Sequence, residues 1–243
     1  MMQQQFDVAV VGAGVFGAWS AYKLRLAGAK VVLLDAYGAG NSRASSGGET
    51  RIIRMGYGPD AMYSRMAQRS LPSWKALGDE IFQPTGVLWL ARENDAYCEA
   101  VIKNLTEAAV KFERLAESEL RHRYPQLKTP DRSWGILEPD SGVLMARQGV
   151  KAVVSKAQSV GAHYRREAAL PPETTKGKLA KLRTTNGDEI YARDFVFACG
   201  PWLPQTFPSL LGQLIYVTRQ EVFFLGVPAG DDSYEKENLP AWI

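Results

Sequence analysis

Four residues near the start of the chain have the identities and order needed to bind a nucleotide. Gly12, Gly14 and Gly17 form the pattern GAGVFG, and Asp35 ends a run rich in valine and leucine. In such a pattern the first glycine permits a tight turn, the second lets the backbone approach a pyrophosphate, and the third lets a helix pack closely on a strand. A carboxylate placed like Asp35 accepts hydrogen bonds from ribose hydroxyls. Together the four residues predict a binding site for an adenine dinucleotide.

The segments around these glycines have the patterns of a strand, a helix and a second strand. Residues 6–11 read FDVAVV and residues 30–34 read KVVLL, which is typical of strands buried on both faces of a parallel sheet. Between them apolar residues recur at helical spacing from Ala18 to Leu26, and Gly28 ends the helix. The N-terminus of this helix would present N–H groups and a partial positive charge to the phosphates. The unit predicts a Rossmann-like α/β fold.

The residues after Asp35 limit which dinucleotide can bind. Ala36 and Tyr37 carry no positive charge, so the ribose 2′-phosphate of NADP would meet only the carboxylate of Asp35. NADP is therefore disfavoured. FAD and NAD both remain open at this point.

A glycine- and serine-rich segment, residues 38–58, follows and contains a compact cluster of Thr50, Arg51 and Arg54. Because it leaves the carboxyl end of the second strand, it would pass the crevice in which dinucleotides bind, where backbone amides can surround a flavin ring. The two arginines would then lie beside such a ring.

The sequence SSGGETRIIRMGYG, residues 45–58, resembles the signature of the sarcosine oxidase-like family of FAD-dependent amine oxidases, within the D-amino-acid-oxidase superfamily. The resemblance implies that FAD is the cofactor, with Thr50 and Arg51 over the isoalloxazine and with Ser45 and Ser46 near the phosphates. It also implies that Arg54 binds the substrate carboxylate. A guanidinium suits that task because it stays charged and pairs with a carboxylate through two hydrogen bonds.

This chain differs from the family pattern at several positions. Many members carry histidines where this chain has Ser46 and Gly47, and another where it has Met55. The identity of the substrate therefore stays open, and the polarity near the flavin is expected to differ. Neither Cys98 nor Cys199 lies in the context of the cysteine that binds flavin covalently in some members.

Two later segments are also implied by the resemblance to contact the cofactor. Residues 163–168 form a predicted strand whose end, at Ala168, would pass the adenine. The sequence DFVFACGPW, residues 194–202, resembles the family element made of a strand, an Ala-x-Gly and a tryptophan. In it Ala198 and Gly200 would let the backbone approach the cofactor beneath the first glycine loop, and Trp202 would follow.

The rest of the pattern predicts further regular elements. Helices are expected at 63–77, with a kink or break at Pro72, from Tyr97 to Leu115 and at 150–160, and by the resemblance at 117–127. The sequence Asn186-Gly187 predicts a hairpin between residues 179–185 and 188–192. Strands are expected at 82–90, and by the resemblance at 136–147 and 214–225.

These elements predict two domains in an α/β protein. A Rossmann-like FAD-binding domain is expected at about 1–84 and 147–207, and a mixed-sheet α+β substrate domain at about 85–146 and 208–243. Members of the family are longer, so the substrate domain is expected to be truncated here. A second chain that supplies the C-terminal part is the expected partner.

The resemblance implies an activity for the completed protein. It would oxidise the C–N bond of a small secondary or primary amino acid of the sarcosine or N-methyl amino acid type, with hydride transfer to the flavin. Oxygen would reoxidise the flavin and give hydrogen peroxide. Two alternatives stay open, namely a flavin-linked amino-acid dehydrogenase with another electron acceptor, and an FAD-binding subunit without catalysis.

The composition argues against several other classes of protein. The 243 residues are 46% hydrophobic and carry 29 basic and 26 acidic side chains, with no run of like charges that could follow a nucleic-acid backbone. No apolar stretch is long enough to span a membrane, and the first residues are polar. Cys98 and Cys199 are expected to be buried free thiols, so neither a disulfide nor a metal site is predicted. We expect a cytoplasmic protein.

Overall fold

The valine-rich run at the start of the chain forms a central strand of a five-stranded sheet in a computed structural model that describes residues 5–173 and 178–243. The polar residues 1–4 lie outside the described part. The strands are β1 Gln5–Val11, β2 Val31–Asp35, β3 Thr50–Ile53, β4 Phe82–Gln83, β5 Val87–Ala91, β6 Glu113–Leu115, β7 Trp134–Glu138, β8 Gly142–Met145, β9 His163–Arg166, β10 Lys181–Arg183, β11 Glu189–Phe197 and β12 Ala241–Trp242. The helices are α1 Val15–Leu26, α2 Ala61–Lys75, α3 Ala96–Glu107, α4 Glu117–Arg123, α5 Ala146–Ser159, α6 Leu203–Thr206 and α7 Pro208–Leu211.

The described residues of Met1–Glu49 and Ala146–Glu221 form the first of two compact units. Its sheet has the order β10-β11-β1-β2-β9, in which β1 pairs in parallel with β2 and β11, and β2 with β9. The strand β10 pairs antiparallel with β11. Because α1 connects two parallel strands and packs against α5, both central strands are covered and their side chains are buried. One face of this sheet forms a core of Phe6, Ala9, Val11, Val32, Leu34, Leu182, Ile190 and Ala192.

The second unit comprises Thr50–Met145 and Val222–Ile243. It contains one sheet with the order β12-β5-β7-β6 and another with the order β3-β8-β4. Most of its strand pairs are antiparallel, whereas β12 runs parallel to β5. Leu88, Leu115 and Leu120 form a fully buried cluster in which α4 packs on the first of these sheets.

The predicted α/β fold class is confirmed, since the structure combines a mostly parallel sheet with a mixed sheet and an antiparallel one. The units differ from the predicted domains in residues 50–84, which group with the second unit, and in residues 208–221, which group with the first. Residues 50–84 join the second unit because β3 and β4 both pair with β8 at residues 142–145. The assignment of the two units to cofactor and substrate stays a prediction.

Three predicted elements are interrupted in the structure. The helix expected from Tyr97 to Leu115 ends at Glu107, because Ala109 adopts a left-handed φ of 52°, and Leu115 lies in β6. The strand expected at 82–90 is divided at Gly86, which has a φ of 72°. The strand expected at 136–147 is divided after β7, where Pro139 cannot donate to a ladder, and β8 joins the other sheet.

The strand expected at 214–225 does not form. This segment pairs with no strand of the described chain, and a strand needs a partner for its backbone N–H and C=O groups. Tyr216, Phe223 and Leu225 are 88%, 79% and 90% exposed. By contrast, the hairpin at Asn186-Gly187 is confirmed. None of the helices in residues 5–173 and 178–243 has the length and apolar character required to cross a membrane.

Candidate functional site

The turn after β1 places two backbone segments in contact. Gly12 has a φ of 101°, in the region that disfavours side chains, and a Cβ on it would lie 2.4 Å from the carbonyl oxygen of Ala198. The cause is the parallel pairing of β1 with β11, which continues as a 2.8 Å hydrogen bond from the Ala198 N–H to the Val11 carbonyl. A glycine at position 12 is therefore required by both conformation and space.

The start of α1 is equally close to its surroundings. A Cβ on Gly17 would lie 1.7 Å from the Gly12 carbonyl oxygen, so only glycine lets this helix begin against the turn. A Cβ on Gly14 would lie 3.3 Å from Oγ of Ser46. That hydroxyl oxygen accepts a 3.2 Å hydrogen bond from the Val15 N–H, the first residue of α1. Ser46 therefore lies at the positively polarised end of the helix, and its own O–H remains a donor for an anion.

Asp35 connects the ends of the two central strands. One carboxylate oxygen accepts the Ala13 N–H at 2.7 Å, and the other accepts the N–H groups of Tyr37 at 2.9 Å and Gly38 at 2.7 Å. These bonds fix the carboxylate at the carboxyl edge of the sheet, where ligands of open α/β folds bind. The two oxygens together offer about four acceptor sites, so capacity for a ribose hydroxyl remains.

The loop that leads from β2 to Ser46 is held by Asn41. Its side-chain oxygen accepts the N–H groups of Arg43 at 3.0 Å and Ala44 at 3.1 Å, and its amide donates to the Gly38 carbonyl at 2.7 Å. A Cβ on Gly47 would lie 1.8 Å from the Asn41 carbonyl oxygen. The loop is therefore a closed turn that presents the serines at positions 45 and 46 to the start of α1.

These segments enclose a cavity of about 410 Å³ within the first unit. Its volume falls within the usual range of pockets for cofactors and small molecules. It is lined by Val11, Gly12, Gly14, Val15, Phe16, Asp35, Ala36, Tyr37, Asn41, Ala44, Ser45, Ser46, Glu167, Ala168, Ala169, Pro171, Ala198, Cys199, Gly200, Pro201, Trp202, Gln205 and Thr206.

Several lining residues, among them Tyr37, Glu167 and Cys199, were not predicted from the sequence. The Tyr37 ring lies 6.1 Å from the ring of Trp202, which was predicted, and 4.4 Å from the guanidinium of Arg43. Buried Glu167 accepts the Thr184 hydroxyl at 2.5 Å. Burial raises the pKa of the Cys199 thiol, so this side chain stays neutral in the cavity wall. The signal that could have found Glu167 and Cys199 is adjacency, since each directly neighbours a predicted contact residue.

The two arginines near the end of the glycine- and serine-rich segment, Arg51 and Arg54, belong to the second unit. Arg51 lies in the exposed part of β3, and its Nη1 donates to the Thr50 carbonyl at 2.6 Å. Arg54 follows β3 and is half-buried; its guanidinium lies 4.4 Å from the Tyr57 ring centre and 4.6 Å from that of Trp89. Within residues 5–173 and 178–243, no acidic side chain forms an ion pair with Arg54. A stacked guanidinium of this kind retains donors for an external anion.

The predicted site residues therefore fall into two groups. Nine line the cavity of the first unit, and Gly17 packs directly against Gly12, which is one of the nine. Thr50, Arg51 and Arg54 belong to the second unit. The individual roles given to them by the resemblance stay predictions. The nine are Gly12, Gly14, Asp35, Ser45, Ser46, Ala168, Ala198, Gly200 and Trp202.

The cavity has the features that an adenine dinucleotide requires. A side chain at Gly12 or Gly17 would clash with the neighbouring backbone, and Gly12 therefore contributes only main-chain atoms to the cavity wall. A helix N-terminus, a hydroxyl and a fixed carboxylate provide partners for phosphate and ribose. The residues that line the cavity therefore fit an adenine dinucleotide.

Comparison with known proteins identifies relatives that match most of the chain. The family described as FAD dependent oxidoreductase (DAO) matches residues 7–240. The monomeric sarcosine oxidase of Bacillus sp. (strain B-0618) is 31% identical over 207 residues, which is 83% of this chain and 53% of that protein. The human peroxisomal sarcosine oxidase is 29% identical over 209 residues, 84% of this chain and 53% of that protein. The chain thus spans about half the length of the curated relatives it matches.

Solved structures share the fold at lower identity. The L-proline dehydrogenase from P. horikoshii superposes with a TM-score of 0.73 at 20% identity, covering 85% of this chain and 56% of that one. NikD, an unusual amino acid oxidase essential for nikkomycin biosynthesis, gives a TM-score of 0.66 at 24% identity, with 86% and 55% covered. At these identities the likeness concerns the fold alone.

Proposed function

Because the chain belongs to the family of FAD-dependent oxidoreductases, we propose that the cavity of its first unit binds the adenosine diphosphate part of FAD. The observation that carries this proposal is the contact between the turn at Gly12 and the backbone of Ala198. It leaves main-chain atoms and the start of α1 as the surface presented to a diphosphate.

Within this proposal each lining group has a definite task. The N–H groups at the start of α1 bind the diphosphate, and Ser46 donates its hydroxyl proton to a phosphate oxygen while accepting from the Val15 N–H. Asp35 accepts from the ribose hydroxyls. Ala168 lies beside the adenine, where a small side chain leaves room for a flat ring.

We propose that the completed protein oxidises the C–N bond of a small secondary or primary amino acid. This is supported by relatives named sarcosine oxidase and N-methyl-L-tryptophan oxidase, at 31% and 26% identity. FAD, when bound, supplies the hydride acceptor. Arg54 binds the substrate carboxylate through its free guanidinium edge, which orients the C–H bond next to nitrogen, and Arg51 provides positive charge. Oxygen is the proposed final acceptor, with hydrogen peroxide as product.

Two measurements test the proposal separately. Titration of the cofactor-free protein with FAD should give saturable quenching of flavin fluorescence, which requires no turnover. In the completed protein, anaerobic addition of sarcosine, proline or N-methylated amino acids should then bleach the visible flavin band, and air should restore it with release of peroxide. A protein that does not retain FAD overturns the whole proposal. Bleaching without peroxide would instead indicate a dehydrogenase, and absence of bleaching a non-catalytic FAD-binding subunit.

We also propose that a further polypeptide packs on the segment 214–227. Eight of its large side chains are largely exposed, and so many exposed apolar side chains in one short segment are unusual on the surface of a monomeric protein. The curated relatives have about twice the matched length, which is consistent with a second chain that supplies the partner. These side chains are Leu214, Tyr216, Val217, Val222, Phe223, Phe224, Leu225 and Val227.

A further inference from the structure

Glu138, the last residue of β7, is a buried carboxyl group surrounded by donors. It is 1% exposed, and its two oxygens accept four hydrogen bonds. Oε1 accepts the Gly56 N–H at 3.0 Å and the Trp89 indole N–H at 2.8 Å. Oε2 accepts the Met55 N–H at 2.6 Å and the Ser141 hydroxyl at 2.7 Å. Both oxygens are thus fully used as acceptors, which is the arrangement that makes a buried carboxylate tolerable.

Three of these four donors belong to the immediate surroundings of Arg54. Met55 and Gly56 directly follow Arg54 in the chain, and the Gly56 carbonyl accepts a hydrogen bond from the Arg54 guanidinium. The third donor, Trp89, is one of the two rings over which that guanidinium lies. A single carboxylate therefore fixes the turn that follows the arginine and the ring beneath it.

The close packing of this turn leaves it little freedom to shift. A Cβ on Gly56 would lie 2.7 Å from Cγ1 of Val101, 2.9 Å from Oε1 of Glu138 and 2.9 Å from Cζ2 of Trp89. The glycine is needed so that its N–H can reach the carboxylate while its carbonyl meets the guanidinium. The hydrogen bond between Arg54 and the Gly56 carbonyl is consequently sensitive to the position of the Glu138 carboxyl oxygens.

We propose that Glu138 is a positioning residue for Arg54, and that it sets the affinity of the protein for carboxylate ligands by holding Trp89 and the 55–56 turn around the guanidinium. This inference rests on the proposed role of Arg54 in binding the substrate carboxylate. Glu138 itself does not contact the ligand. Its oxygens accept from neutral donors and not from the guanidinium, so the remaining N–H groups of Arg54 stay available for the ligand.

The test uses the FAD-loaded protein and two small probes, acetate and its neutral analogue acetamide. Glu138→Gln preserves size but replaces one acceptor oxygen by an NH₂ group, which then opposes two donors. The dissociation constant for acetate, measured by titration calorimetry, should rise about 10- to 100-fold, because the charge-assisted hydrogen bonds between a guanidinium and a carboxylate depend on the geometry of the pair. Binding of acetamide and of FAD should change little.

A matched control separates positioning from general loss of stability. Ser141→Ala removes a hydrogen bond to the same carboxylate from a residue that has no part in the surroundings of Arg54. Its acetate affinity should stay within about twofold of the parent even where its unfolding temperature falls, since the three donors around Arg54 still hold the carboxylate of Glu138. Trp89→Phe keeps an aromatic ring but removes the indole donor and reduces the ring area, and it should weaken acetate binding severalfold. It serves as the second variant if Glu138→Gln does not fold.

A double-mutant cycle gives the decisive measurement. If Glu138 acts through Arg54, Glu138→Gln should have no further effect on acetate affinity in an Arg54→Ala background. Additive losses would overturn the inference. So would an unchanged acetate affinity in both Glu138→Gln and Trp89→Phe when Arg54→Ala alone weakens binding. If Arg54→Ala itself leaves acetate affinity unchanged, the proposed role of Arg54 fails, which is a different outcome.

Discussion

The carboxylate of Asp35 accepts the backbone N–H of Ala13 at 2.7 Å, and so joins the end of β2 to the turn that follows β1. The bond holds together the two loops that the cofactor proposal requires. It also means that one substitution at Asp35 alters both the ribose contact and the turn.

Asp35→Asn should weaken FAD binding about 10- to 100-fold, because a charge-assisted hydrogen bond contributes about 1.5–3 kcal/mol. The amide places an NH₂ group against one set of backbone N–H donors, so the unfolding temperature should also fall. Fluorescence titration with FAD and thermal unfolding measure the two effects. Asp194→Asn is the control, since this exposed residue pairs with Arg193 outside the cavity. Equal losses in both variants would contradict the ribose assignment.

Gly12→Ala should abolish detectable FAD binding. The substitution forces a side chain into a left-handed φ, at a cost of about 1–2 kcal/mol, and adds a contact at 2.4 Å to the Ala198 carbonyl oxygen. Gly187→Ala is the matched control, because Gly187 has a φ of 87° but no atom within 4 Å of the added Cβ. It should lose comparable stability through strain and retain FAD. Retention of FAD by Gly12→Ala would rule out the proposed diphosphate site.

Arg54→Ala should raise KM for carboxylate-bearing amines about 30-fold or more, because loss of a buried charge partner costs about 2–5 kcal/mol. The kcat for such substrates should fall less than kcat/KM. Steady-state kinetics with an amino acid and with an amine lacking the carboxylate provide the comparison. Arg69→Ala, in an exposed position on α2, should leave both substrates unaffected. An equal penalty on the carboxylate-free amine would show that Arg54 does not bind the carboxylate.

The Cys98 thiol should make the protein less stable at alkaline pH. Burial, with contributions from Asp95 and Glu99, raises its pKa from 9.0 to about 11. The unfolded chain loses this proton first, so between pH 9 and 11 the folded state binds more protons and the free energy of unfolding falls as pH rises. The loss should reach about 1–2 kcal/mol. Unfolding curves of the parent and Cys98→Ala across this range measure it; parallel pH dependence in the two would contradict the assignment.

Phe223→Ser combined with Phe224→Ser should reduce self-association and binding of apolar dyes. Both side chains are more than 70% exposed, so the free energy of unfolding should change by no more than about 0.5 kcal/mol. Light scattering and chemical unfolding provide the measurements. Leu88→Ala, at a fully buried position, should by contrast cost about 2–5 kcal/mol. A large loss of stability in the double variant would mean that these rings are already packed.

The sequence predicted those parts of the structure that depend on local pattern. The run FDVAVV, the glycines and Asp35 identify β1, the turn, α1 and β2, because each element is specified by consecutive residues. The hairpin at Asn186-Gly187 was predictable for the same reason, since its turn type demands a left-handed glycine.

Other features depend on contacts between distant residues and carry no local signal. Ala109, two residues after the end of α3, has a left-handed conformation that alanine rarely adopts. The helical spacing of apolar residues continues to Leu115, so the sequence pattern did not show where the helix ends. The hydrogen bonds of Glu138 to Met55, Gly56 and Trp89 join three separate segments, and nothing in the sequence ILEPDSG distinguishes a buried glutamate from an exposed one. The placement of Arg54 over two rings could not be predicted for this reason.

The pairing of β1 with β11 determines when the first sheet can be completed as the chain is synthesised. Val11 and Cys199 are in contact although 188 residues separate them in the chain. During synthesis, the edge of β1 that pairs with β11 therefore stays unpaired until β11 has left the ribosome. The cavity that Gly12 and Ala198 line together cannot form before that moment.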